Sequence, residues 1–240
     1  MLTFPNIIIA MITPFNQDGS VNYEAAVELA KKYADDGSGI LLGATTGEGA
    51  VMTEDEKLKL FKLVADELKG KTLIMGNVGT NNTIESIAMA KKAEATGVDL
   101  LLCIVPYYNK PNQDGCYAHF SAIAKATSLP LFIYNVPGRT GGSIEPETVC
   151  RLARDYDNII GLKDASGNLD FAGYVAANAP EGFHLYSGED NLTLPIIAVG
   201  GEGVITVAGH VIGKEMDSMI QAYKDGDVKK AASLHQKYLP

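Results

Sequence analysis

Short apolar runs alternate with longer stretches in which apolar residues recur every three or four positions, from residue 7 to about residue 223. A brief apolar run bounded by turn signals fits a strand buried on both faces, whereas the longer period fits a helix with one buried stripe. The runs fall at 7–10, 40–42, 72–75, 100–105, 131–134, 159–162, 184–186 and 204–206. Between them, Ala26, Leu29, Ala30 and Tyr33 share one helical face, as do Leu58, Phe61, Ala65 and Leu68, then Ile84, Ile87 and Ala88, then Phe120, Ile123 and Ala124. Local chemistry marks several ends. Asn22 can cap the first helix, Thr53-Glu54-Asp55-Glu56 reads as a capping box, Thr83 can cap the third, and Pro146 suits a first helical turn. Gly37, Gly70 and Gly97 stop helices. Further helices are expected near 169–177, 191–199 and 211–223, and Asp225-Gly226-Asp227 opens one more.

Parallel strands need helical crossovers, and eight strand–helix alternations close into a barrel, so the expected class is α/β with a (β/α)8 TIM barrel. An open doubly wound sheet is the alternative, but no G-x-G-x-x-G follows the first strand. The barrel is assigned to 1–225. Residues 226–240 read as the opening of a vestigial C-terminal helical extension.

Composition narrows the function classes. The 240 residues are 46% hydrophobic and carry a formal charge of −9, which disfavours nucleic acid and anionic membrane surfaces as partners. Cys103, Cys116 and Cys150 show neither CxxC spacing nor an even count, so no disulfide framework or thiolate metal site is suggested, and a reducing, cytoplasmic setting is expected. No apolar run approaches the length of a membrane span. His119, His184, His210 and His235 lack metal-ligand spacing, so no metal is expected.

In a barrel the carboxyl ends of all strands face one way, which makes neighbours of residues far apart in sequence. The rim then gathers Thr45-Thr46-Gly47-Glu48, Tyr107-Tyr108-Asn109, Tyr134 with Arg139, Lys163, Ser187-Gly188 and Ile205-Thr206. Lys163 ends an apolar strand, where desolvation pulls an amine toward neutrality and makes it a nucleophile for a ketone. Equally, it could snorkel to water or pair with Asp164. Tyr134 is either a core aromatic or a proton carrier for that chemistry. Arg139, in a Gly- and Pro-bounded loop, is either a solvated charge or a fork for a carboxylate. The Gly43–Gly49 loop is either only a tight turn or, with converging amides beside two hydroxyls, a seat for a carboxylate, while Gly200-Gly201-Glu202-Gly203 reads as a tight entry to the last strand.

Gly43-Ala44-Thr45-Thr46-Gly47-Glu48, Pro106-Tyr107-Tyr108-Asn109-Lys110-Pro111, Tyr134-Asn135-Val136-Pro137-Gly138-Arg139-Thr140-Gly141 and Gly161-Leu162-Lys163-Asp164 resemble the successive motifs of the dihydrodipicolinate synthase family, in the family's order. The resemblance implies a lyase of the Schiff-base pyruvate aldolase superfamily. It would condense pyruvate with aspartate 4-semialdehyde and cyclise the product, the first committed step of diaminopimelate and lysine biosynthesis, with no cofactor needed. It implies that Lys163 forms the Schiff base and that Tyr134, Thr46 and Tyr108 relay protons, with Tyr108 reaching into a partner's site across a homodimer. Thr45 and Thr46 would hold the pyruvate carboxylate, Arg139 would receive the semialdehyde, and Gly188 and Ile205 would line the substrate site. A sibling aldolase acting on N-acetylneuraminate or a 2-keto-3-deoxy sugar acid shares the lysine and tyrosine; the Pro137-Gly138-Arg139-Thr140 loop favours the synthase. A catalytically silent barrel that only binds a keto acid is the remaining alternative. The family's lysine feedback site would map to Asn81, Glu85 and Tyr107, but Glu54 and Lys57 stand where histidine partners are expected, so feedback should be weak. Family members usually continue through further helices, so assembly beyond the dimer is expected to differ.

Overall fold

The computed structural model describes residues 2–239. Eight parallel strands, β1 (Ile7–Ala10), β2 (Gly39–Leu42), β3 (Ile74–Asn77), β4 (Leu100–Ile104), β5 (Leu131–Asn135), β6 (Ile159–Asp164), β7 (His184–Ser187) and β8 (Gly203–Thr206), pair in sequence order and close β8 onto β1. The crossover helices are α1 (Tyr23–Asp35), α2 (Glu54–Leu68), α3 (Thr83–Glu94), α4 (Gln113–Ala124), a single turn α5 (Pro137–Thr140), α6 (Pro146–Asp155), α7 (Leu169–Asn178), α8 (Thr193–Ala198) and α9 (Gly209–Lys224). A last helix, α10 (Val228–Tyr238), is capped by the Asp227 carboxylate on the Lys230 amide and packs along α9, burying Ala231 completely.

Alternation along each strand separates two apolar shells. Ile8, Leu41, Met75, Leu102, Phe132 and Ile205 point into the barrel. Ile9, Leu42, Ile74, Leu101, Ile133 and Leu162 point out under the helices. The lower end of the barrel is aromatic: Phe4 stacks on His184 at 3.9 Å and on Phe132 at 5.7 Å, and the Tyr186 hydroxyl donates to Pro5 O at 2.7 Å. Two strand glycines make room for this layer. A Cβ on Gly161 would lie 2.3 Å from the Phe132 ring, and one on Gly203 would lie 2.7 Å from that of Tyr186.

Local signals set most boundaries. The capping box is complete, with the Glu56 carboxylate accepting from Thr53 N at 2.8 Å and Thr53 Oγ1 from Glu56 N at 3.3 Å, and Asn22 caps α1. Three expectations shift. Asn82, not Thr83, caps α3, because Asn82 Oδ1 accepts from the amides of Ile84 and Glu85 while the Thr83 hydroxyl meets His119 Nδ1 at 2.9 Å. The buried face of α3 is accordingly Ser86, Met89, Ala90 and Ala93, and Ile84 is 79% exposed. The third strand begins at Ile74 rather than residue 72, since Thr72 turns its hydroxyl to Ser38 O at 2.7 Å ahead of the strand. The loop after β5 contains the turn α5, which ends on Gly141 at φ 70°.

Candidate active site

Register places Tyr134, Lys163 and Tyr186 side by side on β5, β6 and β7. Lys163 is 5% exposed, and its Nζ lies 4.3 Å from the centroid of the Tyr134 ring. The alternative pairing with Asp164 does not occur. One residue further on, Asp164 faces the other side of the strand, where its carboxylate accepts from Ser166 N and Ser166 Oγ at 3.0 Å each. Lysine on one face and aspartate on the other is the direct result of the two-residue strand period.

Burial is the largest influence on Lys163 and brings its ammonium down to about 8; Asp190 and Glu189 pull it back up, and Arg139 pushes it further down. An appreciable fraction of free amine therefore exists at neutral pH. Burial raises the Tyr134 phenol, while the Thr45 side chain and the Arg139 guanidinium draw it back. Gly188, just past β7, closes the wall behind the lysine. A Cβ there would lie 3.1 Å from both Cγ and Cε of Lys163, and its amide donates to Asp164 O at 2.6 Å. Only a glycine lets this wall approach the lysine stem so closely.

The loop after β2 is folded tightly against the rim. Thr13 Oγ1 donates to Gly47 O at 2.7 Å, Asn77 Nδ2 donates to Gly43 O at 2.9 Å, and Glu48 takes φ 55°. A Cβ on Gly49 would lie 1.8 Å from Gly43 O, so no other residue fits this fold of the loop. The loop exposes Thr45 and half-buries Thr46. Of the two threonines, Thr45 is the one whose side chain acts on the Tyr134 phenol. Ile205 is 1% exposed inside the barrel, paired with Ile8. Arg139 sits exposed on α5, above β5. Tyr108 is 89% exposed and held at φ 70°.

Thr45 and Tyr134 also line a cavity of about 420 Å³ together with Lys57, Glu54, Glu85 and Tyr107. Asn81 stands outside that lining, its carbonyl accepting from Asn109 Nδ2 at 3.4 Å. Burial lowers the Lys57 ammonium, against the pull of Glu54 and Glu85. Asp190, the nearest thing to a counter-charge for Lys163, was not anticipated as a site residue. The signal was available: it lies three residues past β7, at the rim that already held Gly188. Among the described residues, no group of three or more His, Cys, Asp or Glu could hold a metal ion, and no helix is long and apolar enough to cross a membrane.

Comparison with known proteins decides the family. Residues 3–240 match the model of the dihydrodipicolinate synthetase family. The chain belongs to this family. The 4-hydroxy-tetrahydrodipicolinate synthase of Listeria innocua is 50% identical over 237 residues, covering 98% of this chain and 80% of that relative. The solved dihydrodipicolinate synthase of Cyanidioschyzon merolae with lysine bound superposes with a TM-score of 0.96 at 43% identity, over 98% of this chain and 81% of the other. A solved monomeric dihydrodipicolinate synthase variant gives 0.95 at 34% identity, over 99% and 80%. Membership of the dihydrodipicolinate synthetase family accounts for the order in which the four rim motifs occur along the chain.

Proposed function

We propose that this barrel condenses pyruvate with aspartate 4-semialdehyde through a Schiff base on Lys163, and cyclises the adduct to 4-hydroxy-tetrahydrodipicolinate. The observation that carries the reading is the desolvated, unpaired Lys163 amine at the carboxyl end of β6, against the Tyr134 ring. Neutral Nζ attacks the ketone carbon of pyruvate, and the resulting carbinolamine loses water to give an iminium. The iminium withdraws electrons from the adjacent methyl group, which loses a proton to form an enamine. The enamine carbon adds to the aldehyde carbon of the semialdehyde, and attack of the semialdehyde's own amine on the iminium carbon expels Lys163.

Proton transfer falls to Tyr134, with Thr45 beside it as relay partner, in place of the Thr46 that the family resemblance suggested. Thr46 and the amides of its loop are then free to hold the pyruvate carboxylate. Arg139, cationic and exposed above β5, receives the carboxylate of the semialdehyde. This cation favours a short acidic aldehyde over the polyhydroxylated tail of a sugar-derived 2-keto acid. Gly188 and Ile205 shape the wall and floor.

An aromatic 89% exposed on a left-handed backbone is costly in an isolated chain, which supports delivery of Tyr108 to a partner's site in a homodimer. Three free, buried cysteines fit a cytoplasmic location for such a biosynthetic enzyme. Borohydride treatment with pyruvate, followed by peptide mapping, tests the chemistry: a pyruvyl-sized adduct on Lys163 is expected. No adduct in folded protein would reject it. Turnover with a sugar-derived keto acid but not with aspartate 4-semialdehyde would move the assignment to a sibling aldolase.

A further inference from the structure

Asp190 opens the short 3-10 turn Asp190–Leu192 that follows β7. Its Oδ2 accepts from Ala208 N at 2.8 Å and Val207 N at 3.3 Å, the amides just ahead of α9, so the carboxylate ties the loop after β7 to the loop after β8. Thr193 Oγ1 closes on Asp190 O at 2.8 Å, and Ser187 Oγ on Glu189 O at 2.7 Å, fixing the segment from both sides. The other carboxylate oxygen, Oδ1, is buried and has no hydrogen-bond partner. A desolvated carboxylate oxygen left unpaired is expensive, and such groups call for a functional explanation. Two residues earlier in the same segment, Gly188 lies against the methylenes of Lys163.

We propose that Asp190 is a positioning residue: its carboxylate, locked by the amides of Val207 and Ala208, is the fixed counter-charge for the cation that forms on Lys163 Nζ. This rests on the Schiff-base reading above. The two oxygens divide the work, since Oδ2 holds the group still on two amides while Oδ1 is left without a hydrogen bond. Preorganised charge of this kind stabilises an iminium without reorganisation at the moment of reaction. The charged and titratable groups around Lys163 are Tyr134 on β5, Arg139 on α5, and Glu189 and Asp190 after β7; Asp190 is the leading influence among the charges. Tyr186 on β7 turns its hydroxyl to the far end of the barrel, and Asp164 faces the opposite side of β6.

The test is the pH dependence of pyruvate adduct formation on Lys163, trapped with borohydride, in the intact chain and in Asp190→Asn. Asparagine keeps an acceptor for both amides and removes the charge. Loss of the carboxylate makes the ammonium easier to deprotonate, so the midpoint of the adduct-formation rate is expected to move down by about one pH unit. At the same time the adduct yield at a given pyruvate concentration should fall several-fold, because the iminium loses its counter-charge. Asp190→Ser, which also leaves an acceptor without a charge, should show the same shift and covers the case in which asparagine does not fold. An unmoved midpoint, a loss of adduct that is uniform across pH, or a rise confined to the KM for the semialdehyde would each overturn the proposal. Absence of any adduct in the unsubstituted chain would instead reject the Schiff-base reading itself.

Discussion

The two ends of this barrel are built from the same strands and solve opposite problems. On β6, Gly161 gives up its side chain so that the Phe132 ring can fill the lower layer, while two residues later Lys163 puts a long cationic side chain into the upper one. On β5, Phe132 packs below and Tyr134, with a polar tip, sits above. The lower layer gains stability by excluding every polar group except those that find a partner, such as the Tyr186 hydroxyl on Pro5. The upper layer accepts a buried amine with no ion pair, at a cost in stability that becomes reactivity. Position along the strand, rather than residue type alone, separates structural from chemical roles.

Substitutions can break this contrast at either end. Lys163→Ala should lower turnover by at least ~10³-fold and abolish the pyruvate adduct, yet leave the melting temperature unchanged or raised, because it removes a buried cation. Tyr134→Phe should cost ~10²-fold or more in kcat with the adduct still forming slowly, as rapid-quench trapping would show. Gly161→Ala is the mirror case: its Cβ would meet the Phe132 ring, and denaturant unfolding should report a loss of about 3 kcal/mol. The protein that remains folded should keep its kcat.

A titration sharpens the comparison further. Burial raises the Asp164 carboxyl to about 6, whereas in the unfolded chain it ionises near its ordinary value of 3.8. The folded state thus holds a proton that the unfolded state has released, so this group's contribution is full below about pH 4 and is lost as pH rises through 6. Asp164→Asn should therefore be more stable than the unsubstituted chain by about 1–3 kcal/mol at pH 7.5 and nearly equal to it at pH 4 in urea unfolding. The smallest effect is expected in the side cavity, where Lys57 already places an ammonium under the influence of Glu54 and Glu85. Free lysine should inhibit the unsubstituted chain weakly, and Lys57→Ala should tighten that inhibition a few-fold in a lysine titration of the rate.

Much of this was legible in the sequence, for identifiable reasons. Strand runs such as 131–134 and 159–162 are doubly buried and so nearly continuous in apolar residues, and the rule that all strand ends share one rim carried Tyr134, Lys163 and Gly188 to one place. What escaped depended on side-chain hydrogen bonds that compete with periodicity. Asn82 displaced Thr83 as a cap because its Oδ1 meets two amides while the Thr83 hydroxyl is taken up by His119, and the α3 stripe shifted with it. The proposed preference for Thr45 over Thr46 depends on how a glycine-rich loop folds back on itself, which no spacing encodes. The position of Asp190 three residues past β7 was readable, but its tether was not, because the amides of Val207 and Ala208 lie a full crossover away in the chain.

Tyr108, exposed and left-handed, has a consequence for how activity scales with the amount of protein. In the homodimer proposed above, each site borrows a phenol from the other copy, so specific activity should fall on dilution below the dissociation constant. Two inactive proteins should also repair one another. In an equal mixture of Tyr108→Phe and Lys163→Ala chains, re-associated at random, about one site in four combines an intact lysine with an intact borrowed phenol. Ownership of the reaction then belongs to the pair, and neither chain alone can inherit it.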